Sequence, residues 1–325
     1  MSDFLVPKRV PRHQIDTLAW DACVALSAQR VLYGYSWYLD AVLPAPDWQW
    51  EGLVLFDEKG SYKAVMPIPL RRKGIAGLMH RWVVHQPFFC QFLAVFSVDE
   101  VDTDPFLEAV SHLFRYGTKL CLRQVSRRPV WAEVSQLATH ILDLSADYAT
   151  LFQNYSRDRK LNLRRAEAAN WTVVESTDLQ PLLNLFRINH AETIDGGVAD
   201  WAYALFDRLG NELMSRGFGI LYYAAQQGRI EAGALFVREG NRIIYLFNAA
   251  SATGRTKNAR TLLIDQVIRA YAGTNSIFDF ESPVKSSIVD FYRSFGASEE
   301  PFYNLRWNRL TALERGLIRL RHLLS

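Results

Sequence analysis

Long apolar runs are missing from this sequence: no stretch approaches the ~20 consecutive residues that a membrane-spanning helix needs. Cysteine is scarce, with 3 in 325 residues. Cys23, Cys90 and Cys121 lie far apart in apolar surroundings, and no CxxC pair occurs, which excludes a disulfide framework and a zinc ribbon. The three are expected as small buried hydrophobes. His80, His85 and Cys90 lack zinc-ligand spacing, so no metal site is expected. Charge of one sign is also lacking. Lys and Arg number 37 against 34 Asp and Glu, a formal net charge of +3, and no overall basic field argues for duplex DNA. No GxSxG elbow, Walker loop or GxGxxG turn stands in a strand–turn–helix context. The opening Met1-Ser2-Asp3 carries an acid and no long apolar run, which predicts no secretory signal and a cytoplasmic setting.

What is present suits a globular chain. Hydrophobic residues make up 49%, charged residues 22% and aromatics 13%, enough for a core and an aromatic cleft. The length fits two domains of ordinary size.

Periodicity and turn chemistry outline the elements. Residues 16–28 and 37–42 read as helices, residues 53–56 and 62–70 as a hairpin in which Pro67 and Pro69 predict an edge or bulged strand. Residues 88–96 read as a strand, 105–116 as a helix and 119–125 as a strand. Residues 148–170 read as one long helix, followed by a strand at 171–175 and helices over 179–193 and 201–216. Residues 218–225, 230–238 and 242–249 form a meander with turns at Gln227-Gly228 and Gly240-Asn241. A helix with apolar Ala259, Leu262, Leu263, Val267, Ala270 and Tyr271 follows, and Gly273 just past its end suits positive φ. A strand at 277–280, a helix at 286–295, a strand at 302–307 and a basic amphipathic helix at 314–324 complete the chain. Antiparallel strands followed by strand–helix–strand units predict a mixed sheet covered by helices, an α/β (α+β) fold.

This order, with the residues "LYYAAQQGRIEAGALFV", "RIIYLFNAAS", "NARTLLIDQVIRAYAG" and "FDFESPVKSSIVDFYRSFGASEEPFYNL", resembles the GNAT acyltransferase superfamily and its FemAB-like branch of tandem domains. The segment "YSRDRKLNLRRAEAANWTVVES" is similar to the arginine-bearing helix that opens the second half in that branch. The resemblance covers residues 147–309 well and extends to residues 1–144 through the paired architecture. It implies a degenerate GNAT-like domain over 1–146 and a GNAT-like acyltransferase domain over 147–325, each a mixed, largely antiparallel sheet flanked by helices.

The resemblance also implies a set of functional residues. Acyl-coenzyme A is the expected donor, its phosphates held where Gly254, Arg255, Lys257, Asn258, Ala259 and Arg260 precede a helix, beside Ala249 and Ala250. The family pattern there is Gln/Arg-x-x-Gly-x-Gly/Ala. With Arg255 in its first position, Asn258 and Arg260 occupy the places of glycine and a small residue, and their bulk hinders close backbone approach. Tyr292 in "FYRSFG" matches the setting of the family's general acid; as an alternative it completes an apolar face with Ile288 and Phe295. Asp279 and Glu281 alternate in "FDFE", which puts both on one face of a strand as candidate catalytic carboxylates. Arg157, Lys160 and Arg164 share a helical face and are candidates for substrate phosphates or a tRNA acceptor end, or form a solvated surface. His190 is a candidate substrate-binding residue, or a structural one. The expected activity is N-acylation of a small-molecule or peptide amine. The alternatives are aminoacyl-tRNA-dependent transfer and a binding module without catalysis.

Overall fold

The computed structural model describes residues 6–75, 79–190, 197–282 and 285–311. Two compact units divide the chain, Met1–Leu137 with Pro301–Ser325 and Ala138–Glu300.

The first unit begins with β1 (Lys8–Pro11), α1 (Thr17–Leu26), α2 (Ser36–Val42), β2 (Trp48–Phe56), β3 (Tyr62–Ile75), β4 (Met79–His85), β5 (Phe96–Ser97), α3 (Asp104–Leu113) and β6 (Tyr116–Leu122). Asp16 caps α1, its carboxylate accepting the N–H groups of Leu18 and Ala19 at 3.0 and 3.1 Å, which satisfies two donors the helix cannot. The strands run in the order β1-β2-β3-β4-β6, joined by β13 (Ser298–Asn308), with β5 paired to β3. β4 and β6 are parallel and the other pairs antiparallel.

Pro67 and Pro69 stand inside this sheet, but in a local gap. On one side β3 pairs with β2 throughout; on the other it pairs with β5 at Ala64 and Val65 and with β4 from Leu70 onward. Proline has no N–H to donate, so it fits where that side of the strand has no partner.

The second unit contains β7 (Glu133–Asp143), α4 (Tyr148–Gln153), α5 (Arg157–Ala168), β8 (Thr172–Ser176), α6 (Gln180–Asn189), α7 (Asp200–Ser215), β9 (Gly219–Gln226), β10 (Arg229–Glu239), β11 (Arg242–Ala250), α8 (Ala252–Thr256), α9 (Ala259–Tyr271), β12 (Ile277–Asp279) and α10 (Ser286–Arg293). Its strand order is β7-β12-β11-β10-β9-β8. The β11–β12 pair is parallel and the rest are antiparallel. Gln227 and Gly228, with φ of 51° and 74°, make the two-residue turn whose twist matches the hairpin. One face carries α5, α9 and α10 over a core of Phe236, Tyr245, Phe278, Phe280, Phe295 and the inward positions of α9.

The structure corrects several sequence expectations. Residues 88–95 form no regular strand, and Phe89 adopts φ 55°. The helix expected over 148–170 is two helices, because the Ser156 side chain caps α5 at the Arg159 N–H and starts it afresh. Strand β7 was not foreseen: its buried Thr139 and His140 interrupt the apolar alternation. From Pro301 the chain is back in the first unit, since Tyr303, Asn304 and Leu305 pair with Leu122, Cys121 and Leu120. Residues 147–325 therefore do not form one compact unit. The helix expected at 314–324 lies outside the described residues. The three cysteines are free and buried, and burial pushes the thiols of Cys23 and Cys121 up to about 11. Among the described residues no helix is long and apolar enough to cross a membrane.

Candidate active site

A wedge opens in the second unit where two parallel strands part. β11 pairs with β12 only over Arg242–Ile244, against Ile277–Asp279. β12 then ends, whereas β11 continues to Ala250. The Ser251 N–H donates to Glu231 O at 2.9 Å, so Ser251, Ala249 and Phe247 are the residues of β11 bonded to β10. By the alternation of an antiparallel ladder, Asn248 and Ala250 turn their peptide groups to the opposite, unpaired edge. On that edge the Ala250 N–H is taken by His190 Nε2, and the Asn248 N–H is the backbone donor left without a partner among the described residues.

Tyr245, the first residue past the paired segment, meets Tyr292 of α10 edge-on, ring centroids 6.3 Å apart at 86°. Tyr292 is 7% exposed and stacks on Phe280 at 4.7 Å. Among the described residues neither phenol has a hydrogen-bond partner. Burial pushes both pKa values up, with Arg260 opposing the rise. Tyr292 thus stays protonated at neutral pH. Its ring completes the core, and its hydroxyl is the group left over.

At the far end of the edge, His190 Nε2 lies 3.1 Å from both N and O of Ala250. Burial lowers the His190 pKa, and the charges of Arg260 and Arg255 lower it further. A neutral imidazole at neutral pH can accept the Ala250 N–H through Nε2. Asn248 holds Arg260, whose Nη1 donates to Oδ1 at 3.0 Å.

The anticipated donor loop is a turn of helix. Gly254 lies in α8, where an added Cβ would stand 2.2 Å from the Glu231 carbonyl oxygen. Glycine is required there for α8 to rest on β10. Gly254→Ala is expected to lower stability by about 1–3 kcal/mol, as overpacking against backbone does, read from the urea midpoint at constant m. Arg255 donates to Ala250 O at 2.9 Å, and Lys257 to Gln226 Oε1 at 2.7 Å. Asn258 adopts φ 56° and ψ 31° at the head of α9, a left-handed conformation that asparagine tolerates better than most residues with a side chain. Ala259 is fully buried, as are Ala249 and Ala250.

The two carboxylates part company. Asp279 is 0% exposed and fully engaged: Oδ1 accepts from Thr139 Oγ1 at 2.6 Å and the Glu281 N–H at 2.9 Å, and Oδ2 from Arg242 Nε at 2.9 Å. It anchors the end of β12, and proton transfer would need this set broken. Glu281 has φ 47°, which breaks the strand alternation that would have put both acids on one face. Glu281 is partly exposed, and its charge acts on Tyr292.

Arg157 and Arg164 of α5 are exposed, and Lys160 donates to Gln153 O at 2.8 Å. The inward arginine of this basic helix is Arg159, which stands off the face shared by Arg157, Lys160 and Arg164. Arg159 is 5% exposed and donates from Nε to Ser294 Oγ at 2.9 Å and from Nη1 to Thr261 Oγ1 at 2.5 Å. It lies over Phe291 and Phe295 at 4.1 and 4.5 Å. Its signal was the spacing: Arg159, Leu163 and Ala166 follow the i, i+4, i+7 stripe of a buried face. Buried Asp265 accepts from Tyr148 and Tyr155 at 2.9 and 3.0 Å and from Arg269 at 3.2 Å, which ties α4 and the start of α5 to α9.

Among the described residues the first unit holds no comparable wedge. Beyond Gly117 and Lys119, the edge of β6 facing β4 is taken by the unit's own chain. Leu93 N–H donates to Cys121 O at 2.8 Å, Arg123 N–H to Leu93 O at 2.8 Å, and Cys121 N–H to Gln86 Oε1 at 3.1 Å. Leu93, within the apolar run at residues 92–96, therefore fills this gap.

A splayed parallel pair with a helix starting beside it is thus the frame of this site. Residues 152–281 match the family described as "Acetyltransferase (GNAT) domain". The whole chain is similar in fold to FemX, at 12% identity and TM-score 0.68 over 96% of this chain and 99% of that one. It is also similar to L-PGS from Bacillus licheniformis, at 11% identity and TM-score 0.54 over 95% and 96%. A tandem GNAT protein from the clavulanic acid biosynthesis pathway aligns at 13% identity and TM-score 0.51 over 91% and 97%. No curated protein matches the sequence.

Proposed function

We propose that the chain is an N-acyltransferase whose second unit moves an acyl group from an activated donor, acyl-coenzyme A in the first instance, to an amine. The carrying observation is the edge of β11 beyond Ile244, where no strand pairs among the described residues, with the Tyr292 hydroxyl, without a hydrogen-bond partner among them, near its start. The acyl carbonyl sits against the outward N–H of Asn248 on that edge, which stabilises the oxyanion as the amine attacks. The C–N bond forms and the C–S bond breaks. Tyr292 gives its proton to the departing sulfur. The ammonium proton leaves through the partly exposed Glu281, and the phenolate is reprotonated from solvent. Asp279 takes no proton and positions the end of β12. The acceptor is a small-molecule or peptide amine, and the setting is cytoplasmic.

A polynucleotide-borne aminoacyl group is the second reading of the donor. Arg157, Arg164 and Arg165 favour it, being exposed and without a carboxylate partner among the described residues, a face suited to a phosphodiester backbone. Acetyl-coenzyme A titrated by calorimetry, followed by thiol release across a panel of amines, tests the first reading. Binding with amine-dependent thiol release is expected. No binding, together with release from an aminoacylated tRNA, would move the donor to the second.

A further inference from the structure

The end of β12 is tied down by side chains. Continuing the register of Ile277 with Asp143 and Asp279 with Ile141 would set Phe280 opposite His140 and Ser282 opposite Ala138. Phe280 keeps to it, its N–H donating to His140 O at 2.9 Å. Ser282 does not. Its N–H donates to Thr139 Oγ1 at 3.2 Å, and its hydroxyl lies 3.0 Å from His140 Nδ1. Glu281, between them, gives its N–H to Asp279 Oδ1, which also accepts the Thr139 hydroxyl. Thr139, His140, Asp279 and Ser282 are all buried. Side chains thus hold both residues after Phe280, in place of a ladder.

The residue so held is strained. Glu281 stands at φ 47°, a left-handed conformation that disfavours a residue with a Cβ and persists only where its surroundings impose it. Here three hydrogen bonds over two residues do so. The His140 ring is oriented for its share: Nε2 is buried, without a hydrogen-bond partner among the described residues, and 3.9 Å from a Glu299 carboxylate oxygen. That carboxylate favours the proton on Nε2, which leaves Nδ1 to accept from the Ser282 hydroxyl. The twist also separates the two acids. Asp279 stays enclosed, whereas Glu281 is partly exposed and its charge reaches Tyr292.

We propose that Thr139 and His140 of β7 are positioning residues: they pin Ser282, and through it hold Glu281 in a strained conformation that keeps its carboxylate within electrostatic range of Tyr292. This rests on the acyl-transfer reading, in which Glu281 takes the acceptor's proton, and adds that the base is aimed from β7. Neither Thr139 nor His140 touches a reacting atom.

Urea unfolding, and thiol release from acetyl-coenzyme A in the presence of an amine, test the tie and the chemistry separately on the full chain. Glu281→Gly should have a higher urea midpoint than Glu281→Gln, because glycine takes positive φ without steric strain. Thr139→Val should shrink that advantage, since the strained conformation is then no longer imposed. His140→Leu is the second variant should Thr139→Val fail to fold. Each should lower kcat about tenfold or more, as misplacement of a reacting group does, with the donor KM unchanged. Thr139→Ser and His140→Asn, which keep a polar atom in place, should retain most of the rate. In the Glu281→Gln background the Val and Leu substitutions should cause no further loss, because they act through that carboxylate. A Glu281→Gly midpoint at or below that of Glu281→Gln overturns the proposal. So does a rate loss that persists undiminished in the Glu281→Gln background, the mark of a purely structural role. If the glycine advantage is present and depends on Thr139 while Glu281→Gln keeps full kcat, or while no amine is acylated, the tie stands and the acyl-transfer role of Glu281 falls.

Discussion

Tyr292→Phe should reduce turnover by about 10²-fold or more, the usual contribution of a positioned general acid, while leaving the fold intact. The ring is retained, so its stacking on Phe280 and its edge contact with Tyr245 persist. No hydrogen bond is lost among the described residues, because the hydroxyl makes none there. Removing a half-desolvated hydroxyl without a partner is close to neutral for stability. The variant therefore separates catalysis from folding: kcat should fall with the urea midpoint unchanged. Burial holds the Tyr292 pKa above its ordinary value, so the wild-type rate should show no loss from phenol ionisation between pH 7 and 9. Tyr245→Phe is the companion, since that ring is its neighbour at the same wedge. Full activity of Tyr292→Phe, or a loss shared equally by the Tyr245 variant, would assign proton delivery elsewhere.

Arg242→Met should be the most destabilising single change in the second unit, by about 3–5 kcal/mol, because it leaves a buried carboxylate uncompensated. Arg242 has 4% of its side chain exposed and lies 2.8 Å from the fully buried Asp279. Glu300 pairs with the same guanidinium. Burial by itself would lower the Arg242 pKa, but Asp279 and Glu300 outweigh it and raise it. Since Asp279 closes β12 against Thr139 of β7 and Arg242 of β11, the loss should also disturb the point at which β11 and β12 part. Urea unfolding reads the first effect, and donor affinity in the surviving folded fraction reads the second. The double variant Arg242→Met with Asp279→Leu should recover part of the stability, because the fully buried carboxylate is gone, while Glu300 and the Thr139 hydroxyl still lack their partners. A loss under about 1 kcal/mol in the single variant would show the pair to be solvated in practice.

Much of the second unit was legible in the residues themselves. The Gln227-Gly228 turn, the helical spacing from Ala259 to Tyr271, and Gly273 at φ 76° past its end are local matters. Backbone sterics and side-chain period decide them with little help from the rest of the chain. The meander, the parallel strand after it and the mixed sheet follow from that order. The placement of Tyr292 on a helix of the "FYRSFG" run was equally local.

Tertiary structure decided what those residues face. "FDFE" reads as two acids on one side of a strand, yet Glu281 at positive φ turns away while Asp279 is enclosed by Arg242 and Thr139, residues 37 and 140 positions distant. Among the basic residues of α5, composition singles out none; packing against Phe291, Phe295, Ser294 and Thr261 turns Arg159 inward and leaves Arg157 and Arg164 in solvent. The apolar run at residues 92–96 has strand composition in either setting, and only the contact of Leu93 with Cys121 shows that Leu93 fills the first unit's gap. Composition and period set which local conformations are cheap, so the sequence alone determined most elements of the second unit, β7 and the break at Ser156 excepted. Charge pairing and burial depend on partners far along the chain, so the folded structure alone decided which side chains remain unpaired at the wedge.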